Sequence, residues 1–244
     1  MKELFRMSVR IPLLRSAALL AAAFFTLSAA EPLPPVAPGG WRIDFGTCPL
    51  AKELPVGWEF RAGKPFVTDT AFAVELNERG ERVLVVTADR ATGMVIGVAG
   101  GDLKRCPILR WKWRARNLPK GADSRVPEKD DQVLAIYMGA GGALHRKSIS
   151  YRWDTETPLG TEGKTNYAGG LVSAFYRTIC NQETPVGEWR IDEADVAADF
   201  QRQYGFLPAP ERFIVGVAAN SQHTDSMTIG EVAWIEFVPR PEEK

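Results

Sequence analysis

From Leu109 to Arg116 the chain reads Leu-Arg-Trp-Lys-Trp-Arg-Ala-Arg, apolar and cationic residues in strict turn. A period of two is the pattern of a β-strand with one face buried. Leu109, Trp111, Trp113 and Ala115 therefore point toward a core, while Arg110, Lys112, Arg114 and Arg116 form a row on the opposite face. The stretch Ser148–Trp153 alternates in the same way, with Ile149, Tyr151 and Trp153 on one side and Ser148, Ser150 and Arg152 on the other. Val133–Met138 and Phe213–Ala218 are apolar on both faces, which predicts central strands covered on both sides.

The predicted strands are Gly57–Arg61, Phe72–Leu76, Arg82–Ala88, Gly93–Val98, Ile108–Arg116, Val133–Gly139, Ser148–Asp154, Leu171–Arg177, Glu188–Ile191, Phe213–Ala219 and Glu231–Phe237. So many short strands between turn residues imply an all-β antiparallel sandwich. One short helix is expected over Glu193–Tyr204, with Asp192 as its N-cap, Asp195 in its first turn, Gly205 as its stop, and Val196, Phe200 and Tyr204 as its apolar stripe. Asn117–Asp130, Ala140–Lys147 and Thr155–Gly170 read as long loops, where function commonly resides.

The first thirty residues alter the picture. Lys2, Arg6, Arg10 and Arg15 precede an apolar run from Ala17 to Leu27 that ends in Ser28-Ala29-Ala30, the make-up of a signal peptide cleaved after Ala30. The run is too short for a stable span. No Cys follows it, which argues against a lipid anchor, so a periplasmic or secreted protein is expected. Residues 31–40 form a Pro- and Gly-rich lead-in and 41–240 a single domain; 244 − 30 = 214 residues are enough for one sizeable core.

The whole chain balances 30 basic against 30 acidic residues. Without the four cations and one acid of the leader, 26 face 29, a charge near −3 that does not suggest a nucleic-acid binder. Cys48, Cys106 and Cys180 are too widely spaced for a zinc site. In an oxidising compartment two of them are expected to pair, in a combination the spacing does not decide, with the third left as a buried thiol.

Taken together, Leu109-Arg-Trp-Lys-Trp-Arg, Leu118-Pro-Lys-Gly-Ala-Asp123, Asp130-Asp131, Ser150-Tyr-Arg-Trp153, Glu188-Trp-Arg-Ile-Asp192, Asp199-Phe200, Tyr204-Gly205 and Ile214-Val-Gly-Val-Ala218 resemble a bacterial exported family known as domain of unknown function 3047. The resemblance runs from about Trp41 to Phe237. It implies a β-sandwich of jelly-roll type and brings no established activity. Where that family is rich in aspartates after the Gly-Val-Ala strand, this chain has Asn220-Ser-Gln-His-Thr-Asp225, so Ser221 and Gln222 would alter any acid-based site there.

Candidate chemistry is sparse. The cationic row, Arg110 and Arg114 foremost, could hold a carboxylated or sulfated glycan; the plainer reading is that acids on a facing strand neutralise it. Asp130 and Asp131, with Asp123 and Glu128 before them, could ligate Ca²⁺, but no EF-hand spacing is present, and an ion pair of Asp130 or Asp131 with Arg114 or Arg116 is the expected role. His145 and His223 lie in loops with no nucleophile elbow or metal-binding motif; a triad through His223 and Asp225 has nothing to support it.

Glu188, Asp131 and Asp192 could hide the carboxylate pair of a glycosidase or the acid–base set of a lyase, although Asp192 is better explained as a cap. Of the seven tryptophans, most belong to the core; Trp153 and Tyr151 are the aromatic surface candidates. The expected function is non-catalytic ligand binding, saccharide foremost, through Arg110, Arg114, Asp131, Tyr151, Trp153 and His223, with neither metal nor cofactor. The alternatives are a polysaccharide-active hydrolase or lyase using loop carboxylates, and a structural or protein-binding envelope module.

Overall fold

The computed structural model describes residues 33–50, 54–62, 66–141, 146–167, 172–209 and 213–241. The expected signal segment and His145 lie outside them. In chain order the strands are β1 (Trp41–Asp44), β2 (Trp58–Ala62), β3 (Thr68–Asp69), β4 (Ala71–Leu76), β5 (Arg82–Asp89), β6 (Ala91–Ala99), β7 (Ile108–Asn117), β8 (Gln132–Ala140), β9 (Arg146–Trp153), β10 (Glu162–Tyr167), β11 (Val172–Cys180), β12 (Arg190–Asp195), β13 (Phe213–Asn220) and β14 (Met227–Val238), with α1 (Val196–Tyr204) between β12 and β13.

They form two sheets. The smaller runs β12-β7-β14-β5-β4, with β1 also on β14; the larger runs β10-β11-β9-β8-β13-β6-β2, with β3 beside β6. Neighbours are antiparallel except β9 with β11 and β3 with β6. Among the described residues no helix is long and apolar enough to cross a membrane.

The alternation in β7 places Trp111 and Trp113 between the sheets, where both are fully buried. Trp111 stacks on Tyr151 of β9 at 5.2 Å between ring centroids, and Trp113 meets Trp153 at 5.4 Å. Those contacts correct the expectation for Tyr151 and Trp153. The apolar sides of β7 and β9 face each other, so both rings close the core instead of offering a surface.

β8 and β13 are central in the larger sheet, as their two-sided apolarity predicts. The reason for the second apolar face differs from the expectation. Leu134, Ile136, Met138, Val215 and Val217 enter the core, whereas Tyr137 and Ile214 on the outer face are only half-buried and line a cleft. Gly216, also on that face, is required by close approach: a Cβ there would stand 2.7 Å from the Val95 carbonyl oxygen.

Other boundaries moved. The helix starts later because β12 stays paired with β7 as far as Asp195 opposite Ile108. Asp195, not Asp192, is the N-cap, accepting the Ala198 N–H at 2.9 Å, and Gly205 ends the helix at φ +74°. Asp192 instead accepts Trp113 Nε1–H at 2.7 Å. The loop expected over Thr155–Gly170 contains the edge strand β10.

The cysteines also depart from expectation. All three are free and buried, each thiol near its own oxygen: Cys48 Sγ 3.6 Å from the Asp44 carbonyl, Cys106 Sγ 3.8 Å from the Pro38 carbonyl, and Cys180 Sγ 3.7 Å from Asp192 Oδ2. Burial raises the pKa of each thiol.

Candidate functional site

The outward face of β7 carries the cationic row, and acids neutralise its three arginines. Arg110 donates to Glu236 Oε1 through Nε at 2.8 Å and Nη2 at 2.6 Å. Arg114, 5 % exposed, donates from Nε to Glu231 Oε2 at 2.5 Å and from Nη2 to Glu78 Oε2 at 2.7 Å. Arg116 reaches Glu231 Oε1 from Nε at 2.9 Å. Arg114 also lies 4.8 Å, and Lys112 5.6 Å, from the Trp189 ring centroid.

Cross-strand neutralisation therefore holds, but not by the acids expected. β7 belongs to the smaller sheet and β8 to the larger, so Asp130 and Asp131 are carried away from Arg114 and Arg116. Glu231 and Glu236 do the work instead. They stand five residues apart, which in a regular strand means opposite faces; the β14 register shift between Val232 and Trp234 brings both opposite β7 arginines. Nothing in the sequence pattern marks that bulge.

On the larger sheet, a cleft of about 480 Å³ crosses the outer face of β6, β13 and β8. Its floor is apolar: Met94 and Ile96 from β6, Ile214 and Ala218 from β13, and Tyr137 from β8. Polar groups gather where β13 ends at Asn220 opposite Gln132 of β8. Thr92 Oγ1 donates to Asn220 Oδ1 at 2.8 Å. Gln132 is 1 % exposed, yet its Oε1 has no hydrogen-bond partner among the described residues, and the same is true of Gln222 Oε1.

His223 stands at this polar end. Asp131 lies beneath it, fully buried, and its Oδ2 accepts the Thr224 N–H at 2.7 Å and the Thr224 hydroxyl at 2.8 Å. His223 Nδ1 is 3.2 Å from the Asp130 carbonyl oxygen and 3.3 Å from Asp131 Oδ1. A proton on Nδ1 satisfies that side and leaves Nε2, 3.5 Å from Gln222 Nε2, as an acceptor.

The Asp130 carboxylate lines the cleft but is held by Arg152 Nη1 at 2.6 Å. Arg152 is buried, lies 4.3 Å from the Tyr176 ring centroid and donates to Ser124 Oγ at 3.1 Å. Ser124 in turn donates to Asp154 Oδ2 at 2.7 Å. Burial pushes the Asp154 carboxyl up to about 6. The Arg125 guanidinium beside Asp123 holds that carboxyl down at about 2. This network fixes one wall of the cleft.

Of the sequence candidates, the structure brings together His223 and Asp131. Arg110 and Arg114 are on the far side of the sandwich, Tyr151 and Trp153 are inside it, and Asp225 lies 3.7 Å from Arg90, not beside His223. The cleft residues Gln132, Tyr137, Arg146 and Gln222 were missed. For Tyr137 the two-sided apolarity of β8 and β13 was the signal, since an apolar outer face suits a ligand floor as well as a covering layer; Arg146 and Gln222 lie off those strands and carry no such mark.

The chain belongs to the family described as "Protein of unknown function (DUF3047)", whose model matches residues 57–236. No curated protein matches it. Among solved structures it is similar to the xyloglucanase domain of NopAA, a type three effector from Sinorhizobium fredii, in complex with cellobiose, at 11 % identity over 81 % of this chain and 98 % of that one with a TM-score of 0.47. It is similar to a family 12 xyloglucanase from Bacillus licheniformis at 9 % identity, over 82 % and 99 % of the two chains, with a TM-score of 0.43. A family 11 carbohydrate-binding module from a cellulase of Clostridium thermocellum matches at 10 % identity, over 86 % and 99 %, with a TM-score of 0.42. None of the three assigns a role to a residue of this chain.

Proposed function

We propose that this protein is an exported β-sandwich that binds a saccharide in the cleft of its larger sheet without cleaving it. The observation that carries the proposal is the cleft itself: an apolar floor with a half-buried tyrosine, walled at one end by buried amide oxygens that find no donor among the described residues. A sugar ring offers an apolar face to Tyr137 and hydroxyl donors to Gln132 and Gln222. Retention is favoured over hydrolysis because glycosidases flank the bond with two carboxyl groups about 5–9.5 Å apart. Here Asp130 is the carboxylate lining the cleft among the described residues, and Arg152 already holds it.

One observation favours catalysis as a second reading. His223 stands at the cleft with a buried carboxylate beside its Nδ1, the pairing that orients an imidazole for acid–base work.

Affinity electrophoresis of the domain from residue 31 onward, on neutral and acidic polysaccharides, tests the binding proposal. Retardation is expected, and Tyr137→Ala should weaken it while melting stays cooperative. No retardation on any polysaccharide overturns the reading, and release of new reducing ends or unsaturated products, lost in His223→Ala, moves the protein to the catalytic one. Export is tested by the mass of the protein recovered outside the cytoplasm, which should begin at Glu31.

A further inference from the structure

Resting on the saccharide reading, we infer that the ligand is an oligosaccharide bearing a carboxylate, held with that group at Arg146 and with its hydroxyl-rich end at Gln132 and Gln222. The two ends of the cleft demand opposite chemistry. Arg146 lines the cleft at the start of β9, half-buried, and makes no hydrogen bond or ion pair among the described residues. The other arginine lining the cleft, Arg61, pairs with Glu59, and Arg152 behind the wall holds Asp130. A guanidinium partly withdrawn from water without a counterion is costly in the empty protein, and its planar fork matches a carboxylate's two oxygens.

At the other end the requirement is for donors. Among the described residues Gln132 Oε1 is buried without one, and Gln222 Oε1 likewise; an anion placed there would meet acceptors and the Asp130 carboxylate. Charge therefore sets the orientation. Seven residues of β8 separate Gly139, whose site lies within van der Waals range of the Arg146 stem, from Gln132. That distance is about 23 Å at about 3.3 Å per residue, more than one sugar ring spans.

The test compares one uronic-acid oligosaccharide with the same oligosaccharide after its carboxyls are reduced to alcohols, by calorimetric titration against the wild-type domain, Arg146→Gln and Arg146→Lys. The wild type should prefer the acidic form by about 10- to 100-fold, the range for a hydrogen bond to a charged group. Arg146→Gln should bind both forms at the level of the reduced one, and Arg146→Lys should keep part of the preference. Equal wild-type affinity for both forms, or a preference that survives Arg146→Gln, overturns the carboxylate assignment and leaves saccharide binding standing. Binding of neither form overturns both.

Discussion

Glu231→Ala probes how the outer face of the smaller sheet is held. Glu231 is fully buried and shared by Arg114 and Arg116, and Arg114 is only 5 % exposed. Removing the carboxylate strands a guanidinium that water barely reaches. Glu78 stays on Arg114, but its side chain is about half exposed, so solvent screens what it offers. Breaking a buried pair costs about 3–5 kcal/mol, and the remaining Glu78 contact should bring this to about 2–4 kcal/mol.

For a domain of this size that corresponds to a fall in Tm of about 4–16 °C, at about 2–4 °C per kcal/mol. Urea unfolding followed by tryptophan fluorescence measures it directly. Glu78→Ala should cost under about 1 kcal/mol. The double variant Arg114→Met/Glu231→Leu should lose less than its two single changes added together, because it removes both charges at once. A Glu231→Ala variant no weaker than Glu78→Ala, or strictly additive losses, would refute the claim that these charges act as a buried unit.

Trp113→Ala should cost about 3–5 kcal/mol as a cavity in the aromatic layer, and Trp113→Phe about 1–3 kcal/mol for a smaller cavity plus the lost hydrogen bond to Asp192; denaturation midpoints check both. Asp154 titrates at about 6 in the folded protein against an ordinary 3.8. The folded state therefore binds its proton more tightly, and the stability this group contributes is full below pH ~4 and lost as pH rises through ~6. Asp154→Asn should flatten that part of the profile, so the wild type minus variant difference changes by about 2–3 kcal/mol between pH 4 and 7; an unchanged difference refutes it. Thiol titration should find three reactive cysteines in denaturant and almost none in the native protein.

The legible parts of this fold were those set by local pattern. The alternation of Leu109–Arg116 revealed which residues are core, and the two-sided apolarity of Val133–Met138 and Phe213–Ala218 marked the centre of a sheet. What escaped was non-local. Asp130 follows β7 closely in sequence, but the connection crosses to the other sheet, so proximity along the chain misled. The Glu162–Tyr167 edge strand, Glu-Gly-Lys-Thr-Asn-Tyr, lacks alternation because at the edge of the sheet it buries little on either face over Glu162–Thr165. Tyr151 and Trp153, beside a long loop, look like surface candidates although their strand alternates like β7; two strands of the same pattern in facing sheets must turn the same sides toward each other. The cleft lay hidden for a related reason, since an apolar outer face looks like one more buried face, and only the structure shows that the described residues place no layer above it.

The pairing of β1 with β14 has a mechanical consequence. Trp41 lies opposite Phe237 and Asp44 opposite Trp234, so the preceding and following segments leave the ladder at its Trp41–Phe237 end. A pull applied between those segments opens the ladder like a zipper, one hydrogen-bonded rung at a time, instead of shearing all rungs together. β1 would be stripped first and at low force, while the larger sheet and its cleft carry no load until that strand has gone.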